Sequence, residues 1–376
     1  MQFELVRKRP LLIVASVMIL STLLVYLPFF FKDISLIYRH YDGPFYMYIA
    51  KTFYVIPPDH PFHEDLPATY YAAHFPLFPI FIRVMTLFTL GNYPLAMIFT
   101  TMSCSVAAAF LLYILLHQWQ LVKSPLWTTV LFCFFPERWL MLHSIGSTEP
   151  LFFCLLFATL IAYKKRRDLI VFLCLLLACI SRPPGFLLVF IFGLLYLRDR
   201  KWKVAFLLPF ALTSLIGLFV YHYFVYGDFL AAFRVHTSLA FVSSNTQQSS
   251  LRLFPFEIYR FYAARPSFHS TQLFIILYMV YLIGTLQLWK RKEIFIYSII
   301  TFVFTCFIFN YDVPRYLLPI APFALLIGFD QIFTSRGFRF VAFPVLLYLS
   351  YTFVWGFLPL AACSRQAMDV MLQQLR

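Results

Sequence analysis

Residues 10–31 read PLLIVASVMILSTLLVYLPFFF. No charged side chain interrupts them, and a helix of this length at 1.5 Å per residue crosses the ~30 Å hydrocarbon core of a bilayer. Arg7, Lys8 and Arg9 stand immediately before the run. Such a basic cluster places the N-terminus on the inner side and sends the chain outward. The run is too long for a signal-peptide core and lacks a clear cleavage site, so it is expected to stay as a helix. Similar runs recur along the 376 residues, which are 62% hydrophobic and 12% charged, with mean hydropathy +0.79. A soluble domain of this size does not bury that much apolar surface. The runs do not alternate apolar with polar residues as a membrane barrel does. The expected fold is therefore all-α, one polytopic transmembrane bundle over residues 1–376.

The formal charge of +14 raises nucleic acid as a partner. The cations, however, sit in short clusters between apolar runs, which is the pattern of inner-side loops, and nucleic acid is set aside. The seven cysteines show neither a CxxC pair nor Cys/His metal spacing, so no disulfide framework or zinc site is expected. No Asn-x-Ser/Thr acceptor occurs. That favours a prokaryotic plasma membrane over the endoplasmic reticulum, which would be the setting in a eukaryote.

Following the basic clusters gives about eleven spans with the C-terminus outside. Lys164, Lys165, Arg166 and Arg167 are the strongest inner marker, and Lys290, Arg291 and Lys292 are another. Two large outer loops are expected, at about 32–93 and 227–270. The first carries RHYDGPFYMYIAKTFY at 39–54, read as a turn at Asp42-Gly43-Pro44 followed by an amphipathic helix on the membrane surface. HFPLFP at 74–79 then opens a short helix that dips into the outer leaflet. Residues 126–146 form one span carrying Glu137 and Arg138, expected to pair with each other.

This topology gathers Asp42, His74, Glu149, Arg182, Asp312 and Arg315 at the outer ends of helices. Carboxylates and guanidiniums beside an apolar cleft suit a phosphate carried on a lipid, because the Arg fork binds phosphate oxygens and stays charged. Each residue also has a plainer reading. Asp42 serves as a helix cap, Glu149 as a charge at a helix N-terminus, and His74 as a loop residue bonded to backbone. Arg182 and Arg315 serve as snorkelling side chains. His63, Glu64 and Asp65, with Asp59 and His60, are weak candidates for a divalent cation in a solvated loop.

Four stretches together resemble the GT-C superfamily of membrane glycosyltransferases. RHYDGPFYMYIAKTFY followed by HFPLFP is similar to the pattern of the transferase type that adds the second mannose in GPI-anchor assembly, with Tyr41 where that type tends to have Trp. FFPERWLMLHSIGSTEPLFFCLLF at 134–157 resembles the family's helix pair whose second helix opens on an acidic residue and Pro. SRPPGFLLVFIFGLLYL at 181–197 resembles its basic–Gly turn, and PRYLLPIAPFALLIG at 314–328 its late Arg-Tyr-Leu-Leu-Pro helix.

The resemblance implies a hexosyltransferase, with a mannosyltransferase favoured, using a polyprenyl- or dolichyl-phosphate sugar donor. The acceptor is a hydroxyl on a glycolipid, glycan or protein, and transfer occurs with inversion on the outer face. It assigns Asp42 as general base and Arg182 and Arg315 to the donor phosphate. Glu149, His74 and Tyr41 then stand at the acceptor or behind the first contacts. No cofactor is implied, and a divalent cation is compatible. A lipid-linked-sugar transporter or flippase and a non-catalytic subunit of the same fold are the competing classes.

Overall fold

The computed structural model describes residues 2–238, 250–251, 268–309 and 312–375. Most of the expected second outer loop, 227–270, lies outside them. The regular structure of the described residues is helical, apart from a two-residue antiparallel pairing of Ser250–Leu251 with Ile308–Phe309 and a single bridge between His40 and Ala362. Among the described residues four helices are long and apolar enough to cross a membrane: Arg9–Lys32, Tyr93–Gln118, Trp202–Tyr226 and Phe338–Ala361. Shorter apolar helices, among them Asp168–Cys179 and Pro184–Arg198, stand beside them.

Prolines organise the helix starts. The helices Gly43–Thr52, Tyr93–Gln118, Glu149–Lys164, Pro184–Arg198 and Val313–Leu317 each carry Pro in the first two positions. There its missing N–H is no loss and its fixed φ favours the helix. In four of these helices a charged residue sits at the same proline-marked end: Asp42, Glu149, Arg182 and Asp312 with Arg315. The Glu149–Lys164 and Pro184–Arg198 helices run side by side in the same direction, since Tyr163 donates its hydroxyl to Asp199 at 2.7 Å where both end. Their starts therefore share one face and their basic ends the other.

Prolines break two of the apolar runs, although Pro28 stands within the continuous helix Gln2–Lys32. Residues 126–146 are not one continuous helix: a helix Pro125–Phe132 stops, and Pro136 precedes a second helix, Glu137–Leu142. Pro lacks a donor and disfavours a helical residue before it. Pro319 and Pro322 likewise turn the late helix into a 3₁₀ turn, Leu318–Ile320, and a π-helical segment, Pro322–Ile327.

The helix after Asp42 also differs from expectation. Every residue from Gly43 to Ala50 is buried, so it is not a surface helix. It packs among the helices Leu77–Met85 and Tyr93–Gln118 and the C-terminal helix Arg365–Leu375. Tyr48 donates to Gln374 at 2.6 Å, tying it to the last of these. Its aromatic side chains find aromatic partners inside the protein, such as Phe45 on Phe62 at 4.8 Å, and this burial outweighs the affinity for a membrane surface.

Candidate functional site

Asp42 occupies the N-cap position of Gly43–Thr52, yet its carboxylate makes no capping hydrogen bond. The side chain turns to Arg315, whose Nη2 donates to its Oδ2 at 3.0 Å. His74 Nε2 stands 3.5 Å from the other oxygen, Oδ1. Arg315 also donates Nε to Glu149 Oε1 at 2.6 Å, and Arg182 Nη2 approaches the same oxygen at 3.1 Å. One guanidinium thus bridges two carboxylates, and one carboxylate bridges two guanidiniums. The Arg182 and Arg315 side chains are 12% and 16% exposed, so neither snorkels into solvent. Glu149 is fully buried and Asp42 keeps 24% of its side chain exposed. Of the two carboxylates, Asp42 is the one that a solute can reach.

A second ion pair lies alongside. Arg138 forms a forked pair with Asp312, with Nε to Oδ1 at 2.8 Å and Nη2 to Oδ2. It does not pair with Glu137, contrary to the expectation from sequence. Glu137 and Arg138 both border an apolar cleft with Leu277, Tyr281 and Pro314, but the Arg138 guanidinium turns to Asp312. The helix Glu137–Leu142 is short, and adjacent residues on a helix point in different directions.

Tyr41 joins the two pairs. Its hydroxyl accepts from Arg138 at 2.6 Å and donates to Asp312 at 3.1 Å, and Arg315 lies 5.3 Å over its ring. Three guanidiniums and three carboxylates therefore balance within one connected cluster. A network of this kind survives burial because each charge has a partner, and it is intolerant of losing one.

The backbone supports this arrangement. Tyr41 has φ of +52°, a left-handed conformation that costs a non-glycine residue about 1–2 kcal/mol. Its N–H bonds Ala361 at 3.1 Å, and buried His40 bonds the Leu358 carbonyl through Nδ1 at 2.8 Å. The Asp42 turn is thus clamped to the end of the Phe338–Ala361 helix. His74 stacks on Phe45 at 4.9 Å, and its Nδ1 has no hydrogen-bond partner among the described residues. It is not the backbone-bonded loop residue of the plainer reading.

Electrostatics holds Asp42 as a carboxylate. Burial alone raises its pKa, but the Arg315 guanidinium and the bond from His74 outweigh burial and hold it well below the usual range.

Asp42, Tyr41, His74, Glu149, Arg182 and Arg315 are all brought together. Arg138 and its bond to Asp312 were not assigned to the site from sequence. The available signal was a charged residue inside an apolar run without a counter-charge one turn away. His63, Glu64 and Asp65 do not join the site. Among the described residues no group of three or more His, Cys, Asp and Glu side chains is placed to hold a metal ion.

No family model matches the chain, and no curated protein matches it in sequence.

Proposed function

We propose that the chain is a multi-pass membrane glycosyltransferase of GT-C type. It moves a sugar, with mannose favoured, from a polyprenyl- or dolichyl-phosphate donor to an acceptor hydroxyl on the outer face. In this reading the shorter apolar helices also cross the membrane, for about eleven spans. A prokaryotic plasma membrane is the favoured setting.

The observation that carries the proposal is the position of Asp42. Its carboxylate is ionised, partly exposed and turned from its helix end toward a guanidinium that stands between two carboxylates. A neutral hydroxyl attacks the anomeric carbon while Asp42 accepts its proton. The bond from that carbon to the phosphate oxygen breaks, and the lipid phosphate leaves with the electron pair. Arg315 and Arg182 stabilise the charge on that leaving group, which needs no protonation.

The resting pairs add one feature. Arg315 holds Asp42 at 3.0 Å, and this contact weakens Asp42 as a base. A donor phosphate that takes Arg315 releases Asp42 and restores its basicity, so base strength follows donor binding. The cluster lies at helix ends rather than at mid-depth, which favours a transferase over a transporter. The test is transfer of radiolabelled sugar from polyprenyl-phosphate mannose by purified protein in lipid. No transfer from mannose or other hexose and pentose donors, across glycolipid and peptide acceptors, would remove the reading.

A further inference from the structure

A cavity of about 560 Å³ lies far from Asp42, at the opposite end of the Tyr93–Gln118 helix. Gly43 packs against Met97 in the second turn of that helix, whereas Gln120 and Lys123, just past its last turn, line the cavity. From Met97 to Gln120 the helix, at 1.5 Å per residue, separates the two places by roughly 35 Å. The cavity is independent of the site described above.

Its walls come from three segments that are distant in sequence. Lys123 follows the Tyr93–Gln118 helix, Lys290 and Arg291 form the turn after Phe268–Leu286, and Asp330 opens the short helix Asp330–Phe333. Lys123 donates its backbone N–H to Asp330 Oδ2 at 3.1 Å, which fixes two of the segments to each other. The third is fixed by a crossing of backbones. A Cβ on Gly284 would fall 2.0 Å from the Ala324 carbonyl oxygen, and one on Gly328 would fall 2.5 Å from that of Gly284. This close contact brings the Lys290–Arg291 turn beside Asp330. Three cations against one carboxylate leave the cavity with an excess of two positive charges.

The cavity borders apolar surface. Trp289, Leu286 and Ile283 on one side and Ile332 on the other are exposed large hydrophobics. Lys290 lies 5.4 Å over the Trp289 ring, the usual pairing of a cation and an amphipathic ring at the level of lipid head groups. A binding pocket for a soluble anion has no need of such a wall.

We propose that this cavity binds the phosphate of an anionic membrane lipid, with Lys123, Lys290 and Arg291 around the phosphate and the acyl chains along Ile283 and Leu286. The shared chemistry is a phosphate monoester or diester. The apolar wall favours a lipid source over free phosphate. Such a lipid ties three segments of the bundle together at the face opposite the reactive cluster.

The test uses the full chain, stripped of lipid in an uncharged detergent. Retention of dioleoyl phosphatidylglycerol is measured by native mass spectrometry against dioleoylglycerol, which has the same tails and no phosphate. Inorganic phosphate is added as competitor. Phosphatidylglycerol is expected to bind and dioleoylglycerol to be lost. Lys290→Gln with Arg291→Gln should weaken binding by about tenfold or more, as two charge-assisted phosphate contacts disappear. Lys165→Gln, outside the cavity, should change nothing. Should the double variant not fold, Lys123→Gln with Lys290→Gln, both at exposed positions, replaces it under the same criterion. Displacement of the lipid by inorganic phosphate would keep the phosphate pocket and move its source to the solvent. Equal retention of dioleoylglycerol, or undiminished binding by a folded double variant, would overturn the proposal.

Discussion

Replacing Asp42 by Asn separates the catalytic reading from a structural one. Asn keeps the shape of the side chain and an oxygen that can accept from Arg315 Nη2, now 3.0 Å away. It cannot take up a proton. Loss of a general base lowers turnover by about 10²–10⁴-fold. At 1.36 kcal/mol per tenfold this is about 3–5 kcal/mol of transition-state stabilisation.

The cost to the fold is smaller. Breaking a fully buried ion pair costs about 3–5 kcal/mol and an exposed one about 0–1 kcal/mol. Asp42 is partly exposed and Arg315 keeps Glu149 at 2.6 Å, so about 1–2 kcal/mol is expected from these limits. The pH dependence follows from the lowered pKa of Asp42. Its contribution to stability is complete above the unfolded value of about 3.9 and is lost as pH falls through the lower folded value. The part of the melting difference between wild type and Asp42→Asn that comes from Asp42 ionisation should be present at about pH 5 and shrink in stronger acid. Turnover from labelled polyprenyl-phosphate mannose and melting temperature are measured on the same sample. A well-folded Asp42→Asn protein with near-wild-type turnover would refute the assignment, and Glu149 would be the next carboxylate to replace.

Arg315→Lys keeps the charge but cannot hold Asp42 and Glu149 at once through a fork, so donor affinity in a binding titration should fall about tenfold or more. Arg138→Met leaves Asp312 and the Tyr41 hydroxyl without their guanidinium, and should cost about 3–5 kcal/mol in a reversible unfolding assay. In Gly185→Ala the new Cβ would lie 1.8 Å from the Ala178 carbonyl oxygen, so the turn carrying Arg182 must shift; a lowered melting temperature together with weaker donor binding is expected. Single cysteines at 42, 182 and 315 in a background without native cysteines should label from one side of the membrane and one at 165 from the other. Labelling of position 42 from the cytoplasmic side would exclude an outer-face site.

The class of fold was legible in the sequence because a bilayer makes a one-dimensional demand. A segment that crosses it must be long, apolar and helical, and residues 10–31 meet that demand in any packing. The ends of helices were legible for a similar local reason: Pro44, Pro150, Pro184 and Pro314 suit the first turn of a helix, and the charged residues beside them share that position. Which charges meet was decided by packing alone. Arg138 adjoins Glu137 in sequence and pairs with Asp312, 174 residues away, because the direction of a side chain on a short helix depends on its neighbours. The burial of Gly43–Ala50 was also hidden, since an aromatic amphipathic segment is equally suited to a membrane surface and to a protein groove. Only the folded chain brings the C-terminal helix across it. Only the fold, too, sets Arg315 between Asp42 and Glu149, because a pair of opposite charges gains free energy from distance in space and not from spacing along the chain.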